Sequence, residues 1–118
     1  YKRQLDDALN SALAAAYFVP NDPNILFQVG VLYVAKHDMP HAQQALEAAV
    51  AANPSYADAH YLLAAVYSRQ KEFEKAIEHI DSVASLSKEN SSLVSEEKAL
   101  LQQGKDPFAN KTLTPFGN

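Results

Sequence analysis

The residues of this chain with the widest chemical repertoire are its four histidines, His37, His41, His60 and His79. Imidazole serves as proton shuttle and as metal ligand. His37 and His41 are four apart, an interval that could place two ligands on one helix face. A turn ahead of Pro40 separates them, and no thiol or carboxylate completes a set, so no metal site is expected. His60 is better suited to packing. The acidic residues Glu72, Glu74, Glu78 and Asp81, with Lys71 and Lys75 between them, read as a solvated helix face carrying weak ion pairs. No glycine-rich phosphate loop, nucleophile elbow or catalytic pairing of carboxylates stands out. The chain is therefore read as non-enzymatic, with no catalytic residue, cofactor or metal.

Composition narrows the answer further. The 118 residues suffice for one domain. With 47% hydrophobic and 20% charged residues the balance is that of a globular protein. A net charge of -4 argues against a nucleic-acid surface, which is normally basic. Cysteine is absent, so neither disulfides nor thiol chemistry enter. The longest apolar stretch, Ser11 to Val19, is too short and too alanine-rich to span a bilayer. No basic segment followed by an apolar one marks a signal peptide. The chain opens on Tyr1 in the middle of a repeating pattern, and is expected to be a piece of a longer protein.

The elements that would position these residues all read as helices. Leu5, Ala8, Leu9, Ala12, Ala15 and Ala16 form one stripe at helical spacing within residues 1–22. Asp22 can cap a second helix over about 23–36, with Pro23 in its first turn. A turn at His37-Asp38 leads to a third helix ending near Ala52. Asn53-Pro54-Ser55 breaks the chain again, and the spacing of Ser55 and Asp58 predicts a capped helix over about 56–69. A fifth runs from Glu72 to about Ser87. Asn90-Ser91 is expected to open a last helix that Gly104 ends in a left-handed cap. Residues 105–118 have two prolines, a glycine and no helical stripe, and read as an irregular tail.

A 34-residue register runs through these helices. Tyr33 and Tyr67 share it, as do Ala8, Ala42 and Ala76, Pro20 and Pro54, and Leu5, Met39 and Phe73. A fixed period of this size marks a stacked-repeat protein. In residues 23–56 the recurring places hold Leu26, Val29-Gly30, Tyr33, Ala42, Leu46, Ala49 and Pro54. In residues 57–90 they hold His60, Leu63-Ala64, Tyr67, Ala76, Ile80, Val83 and Lys88. This pattern resembles the tetratricopeptide repeat, a helix–turn–helix unit in which small residues let two helices approach and a tyrosine fills the space between them.

The resemblance covers about 1–104 and implies an all-α solenoid, a right-handed superhelix of antiparallel helix pairs. Its parts would be a half repeat at 1–22, full repeats at 23–56 and 57–90, and a capping helix at 91–104. Glu97-Lys98 stands where the family has Leu-Gly, which implies a solvent-facing outer helix. The family also implies a function, a scaffold for protein–protein interaction that holds a partner segment in a concave groove lined by the first helix of each unit. Carried over by register, that lining is Asn24, Phe27, Val31 and Val34, then Asp58, Tyr61, Ala65, Ser68 and Arg69. The expected occupant is a protein or peptide segment with apolar anchors, neither nucleic acid nor membrane. The lysine-rich clamp that some relatives use for a C-terminal carboxylate is absent, because its places hold Phe27, Val31, Leu62, Ser92 and Glu96.

Three alternatives stand beside this reading. Phe27, Val31 and Tyr61 could pack against neighbouring helices instead of a ligand. The module could associate with a copy of itself. It could also be the appendage of a larger membrane enzyme, as similar repeats trail the membrane region of bacterial O-antigen-ligase-like glycan polymerases. In the tail, Phe108, Leu113 and Phe116 could fold back across the groove, but an unordered terminus is expected.

Overall fold

The computed structural model describes residues 1–108. Among them are six helices and no strand: α1 (Lys2–Phe18), α2 (Pro23–Ala35), α3 (Met39–Ala52), α4 (Ala57–Arg69), α5 (Phe73–Leu86) and α6 (Lys88–Gln102). This is the all-α helical-repeat class that the 34-residue register predicts. None of these helices is long and apolar enough to cross a membrane. The chain divides into two compact units, Tyr1–Tyr56 and Ala57–Asn118.

In the first unit α1 packs on α2 and α2 on α3. α1 stops at Phe18, short of the expected 22, because Pro20 bars helical geometry at the residue before it. Asn21 then turns the chain at φ 67°. The Asp22 carboxylate accepts hydrogen bonds from the Asn24 and Ile25 amides, satisfying two of the donors that every helix start leaves open. Asp38 caps α3 through the His41 amide. Leu9, Val29 and Ala45 are buried together, with Ala12, Leu32 and Tyr33 against them. The closest approach lies between Gly30 and Leu46: a Cβ at residue 30 would stand 2.6 Å from Leu46 Cγ. Just beyond the end of α2, the Lys36 ammonium pairs with Asp6 of α1. Its hydrogen bond, reinforced by its charge, holds the Asp6 carboxyl below the ordinary carboxylate value, against the opposing effect of desolvation.

In the second unit α4 packs on α5 and α5 on α6. Ala64, Ala76 and Ile80, the 34-residue counterparts of Gly30, Ala42 and Leu46, are all fully buried. Tyr67 has two partners on α5, the His79 ring stacked at 5.6 Å and the Lys75 ammonium at 5.6 Å. His60 is buried and lies with Nδ1 3.0 Å from Nδ1 of His79. At that distance one ring donates and the other accepts. His60 is thus a packing residue, as its place in the register requires.

The repeat also extends to the backbone of the turns. His37 and Lys71, 34 apart, both adopt positive φ, 61° and 63°. The amides that follow them reach back to matching carbonyls, Asp38 to Tyr33 and Glu72 to Tyr67, each at 2.9 Å. A left-handed residue closing a helix in this way is the usual C-terminal device, though glycine is its usual occupant. Gly104, at φ 74°, closes α6 as expected.

Three more local expectations fail. α4 begins at Ala57, so Ser55 lies outside the capping position, and its amide donates instead to Asn53 Oδ1. α6 begins at Lys88 rather than Asn90, because the Ser87 hydroxyl accepts from the Asn90 amide and caps the helix earlier. Glu97 is not on a solvent-facing surface either. Val94, Glu97 and Leu101, spaced three and four apart, form the buried stripe of α6. Lys98, beside it, pairs with Asp81 of α5 at 2.7 Å.

Candidate partner-binding surface

The residues expected to line a groove divide between the two units. On α2, Phe27, Val31 and Val34 are buried and Asn24 is exposed. Phe27 stacks at a tilt on Tyr56, with ring centroids 5.0 Å apart. Much of this stripe is therefore occupied in packing. On α4, Ala65 and Ser68 are buried, Tyr61 is half-buried, and Asp58 and Arg69 are exposed. The helical spacing of 58, 61, 65, 68 and 69 brings these five onto one face.

That face of α4 has two different environments. Its N-terminal part opens onto a cleft of about 400 Å³ lined by Asp58, Tyr61, Val83, Asn90, Leu93 and Val94, with Ala57 and Glu97 completing the wall. Leu93 is 73% exposed there. The lining combines two apolar anchor points, Tyr61 and Leu93, with hydrogen-bonding groups at the rim, Asp58 and Asn90.

The C-terminal part of the α4 face is covered by the chain itself. Beyond α6, Lys105–Phe108 returns to α4, so the expectation of an unordered terminus fails for these four residues. The Ser68 hydroxyl donates to Asp106 Oδ1 at 2.8 Å, and the Arg69 guanidinium lies 3.6 Å from Asp106 Oδ2. Arg69 also donates to the Phe108 carbonyl at 3.4 Å. The Phe108 ring is 1% exposed and meets Tyr61 edge-on, centroids 5.4 Å apart at 86°. Leu113 and Phe116 lie outside the described residues.

Sequence reasoning singled out the α4 stripe but missed Asn90, Leu93 and Val94 across the cleft, and it missed Asp106 altogether. The α6 stripe was legible as helical periodicity, whereas Asp106 is 38 residues from Ser68 and nothing local pairs them. Among the described residues, no three His, Asp or Glu side chains converge as a metal would require.

Comparison with known proteins gives one match and one negative result. A family model described as tetratricopeptide repeat matches residues 33–95, more than half of the 118. The match begins at Tyr33, takes in the Tyr33–Tyr67, Ala42–Ala76 and Leu46–Ile80 pairs and ends within α6. No curated protein matches the chain.

Proposed function

As the chain belongs to the tetratricopeptide repeat family, whose repeats are typically non-catalytic modules of protein–protein interaction, we propose that its second unit holds a partner segment in the cleft between α4 and α6. The observation that carries this reading is Leu93, exposed at 73% on the wall of a cleft that also presents Tyr61. Leu93 does not stand alone: with Tyr61, Val83 and Val94 it forms a concave apolar lining with polar groups at its rim, the usual form of a binding site. A partner side chain of aliphatic or aromatic type would seat between Leu93 and Tyr61. Asp58 and Asn90 would then hydrogen-bond the partner's backbone or a basic side chain. The α2 stripe contributes less to this reading, because Phe27, Val31 and Val34 are already buried.

The test is a peptide library displayed against the whole chain, followed by amide chemical-shift mapping of the selected binders. Shifts are expected to concentrate at Asp58, Tyr61, Asn90 and Leu93. Leu93→Asp should weaken the selected peptides more than tenfold, since seating one leucine-sized side chain contributes about 1.5–3 kcal/mol. Binders that map elsewhere, or that ignore Leu93→Asp, would refute the cleft.

Self-association is a second reading with its own observation. α1 exposes Tyr17 at 81% and Phe18 at 79%, followed by Val19 at 50%. Three consecutive exposed apolar residues on one helix end form a patch that a second copy could cover. Sedimentation velocity over a wide concentration range checks this, and a strict monomer throughout would exclude it.

A further inference from the structure

We infer that the Tyr61–Ser68–Arg69 part of α4 is a receptor for a short Asp-x-Phe turn, filled in cis by the chain's own Asp106-Pro107-Phe108 and open to a partner segment of the same chemistry. The inference rests on the reading of α4 as the partner-binding helix and names what one half of its face recognises. Four features of the contact support it.

The turn is self-contained. Asp106 Oδ1 accepts from the Phe108 amide at 2.8 Å, an Asx-type closure that needs nothing from α4. Proline between the two fixes one backbone angle and lowers the entropy lost on docking. A linear segment that folds on itself this way carries its bound shape with it.

The receptor acts through side chains at both ends of the turn. The Ser68 hydroxyl and the Arg69 guanidinium take the acidic end, and Arg69 also takes the Phe108 carbonyl. Tyr61 presents its ring to the aromatic end. No backbone ladder joins the segment to α4, so recognition depends on an acid, an aromatic and their spacing. That is the form of a linear motif rather than of a continuing secondary structure.

The docked turn is also separable from the helix before it. The end of α6 is closed by its own bonds, Gly104 amide to Leu101 carbonyl and Lys105 amide to Leu100 carbonyl, each at 3.0 Å. Gly104 sits at φ 74°, where glycine carries no steric penalty. Release of Asp106–Phe108 therefore leaves the α6 cap intact. Finally, the receptor half adjoins the α4–α6 cleft through Tyr61, which lines one and packs in the other. A longer partner could fill both.

The test uses a fluorescently labelled peptide with the sequence of residues 104–111, titrated by anisotropy into the whole chain and into its D106A/F108A variant. The variant keeps the receptor side chains and loses the cis occupant. A tether this short holds the cis segment at an effective concentration on the order of millimolar, so the variant should bind the free peptide at least about tenfold more tightly than the parent chain. A peptide carrying Asp106→Asn and Phe108→Ala should not bind, and Arg69→Ala placed in the variant should abolish binding of the unaltered peptide. Equal affinity for variant and parent, or no binding to a variant that retains its helical circular dichroism, overturns the proposal. Should the double variant lose its helical signal, D106A alone makes the same comparison with Phe108 in place. If a cleft-selected peptide still binds the released variant while the 104–111 peptide does not, the cis turn is refuted and the cleft reading stands.

Discussion

Gly30→Ala is the most direct test of how the first unit is packed. The substitution has opposing terms. Alanine in a helix interior is favoured over glycine by about 1 kcal/mol. Against this, the new Cβ would stand 2.6 Å from Leu46 Cγ and 2.7 Å from Cδ2, well inside the roughly 3.5–4.0 Å of a comfortable carbon contact. The nearest atom is the branch point of the leucine, not a free methyl end, and Leu46 is fully buried. Overpacking of this kind costs about 1–3 kcal/mol, and the severity of the contact places it in the upper half. The net expectation is a loss of about 1–2 kcal/mol, or about 4–16 °C in melting temperature for a protein of this size. The assay is thermal and urea unfolding followed by far-ultraviolet circular dichroism. The same substitution is then made in a Leu46→Ala background, with both backgrounds held in the same concentration of a stabilising osmolyte. There the clash is gone and only the helix preference remains, so Gly30→Ala should stabilise by up to about 1 kcal/mol. The coupling between the sites would be about 2–3 kcal/mol, within the range that contacting residues show. If Gly30→Ala destabilised both backgrounds equally, or stabilised the parent chain, the reasoning from close approach would be wrong. The second unit supplies the natural control, since Ala64 and Ile80 occupy the same two places and are both fully buried.

Three further expectations concern the turns, the caps and acid. Lys71→Gly and His37→Gly should each raise stability by up to about 1 kcal/mol in urea unfolding, because a non-glycine residue held at φ 63° or 61° carries a steric cost that glycine avoids; a fall in stability would mean that the side chains contribute more than the strain. Asp22→Ala should cost about 1 kcal/mol, with Asp22→Asn close to neutral, since the cap works through one side-chain oxygen accepting from the Asn24 and Ile25 amides. Lys36 holds the Asp6 carboxyl below its ordinary value of 3.8, so the folded state binds that proton less readily than the unfolded chain. Its stabilising contribution is therefore complete above the ordinary value and is lost as pH falls through the lower folded one. Asp6→Asn should flatten the acid branch of the stability profile, and superimposable profiles would show that the pair has no role in it.

The parts of the fold that were legible in the sequence are those fixed by local geometry. A helix pair joined by a three-residue turn must bring position 30 against 46 and 64 against 80, so small and bulky residues recur at those places and the period appears. The left-handed turn residues obey the same period but were hidden, because neither His37 nor Lys71 is glycine, the type that advertises positive φ most plainly. Here the turn length dictates the backbone and the residue submits to it. Glu97 was misread for the opposite reason: charge suggested solvent, whereas its spacing from Val94 and Leu101 already placed it on the buried stripe. Period should outrank polarity when the two disagree at a helix position. The contact of Asp106 with Ser68 and Arg69 was not legible, because no local rule links residues so far apart, whereas Phe108 is among the tail residues that the sequence allowed to fold back across the groove. Yet the same register that located the α4 face makes that contact interpretable. A stripe that serves only as core has no reason to keep a serine and an arginine at its end, and a stripe that serves only as an open groove has no reason to be capped by its own chain. Ser68 and Arg69 satisfy both observations if the face recognises an acid-and-aromatic turn. The structure contains one such turn already seated there.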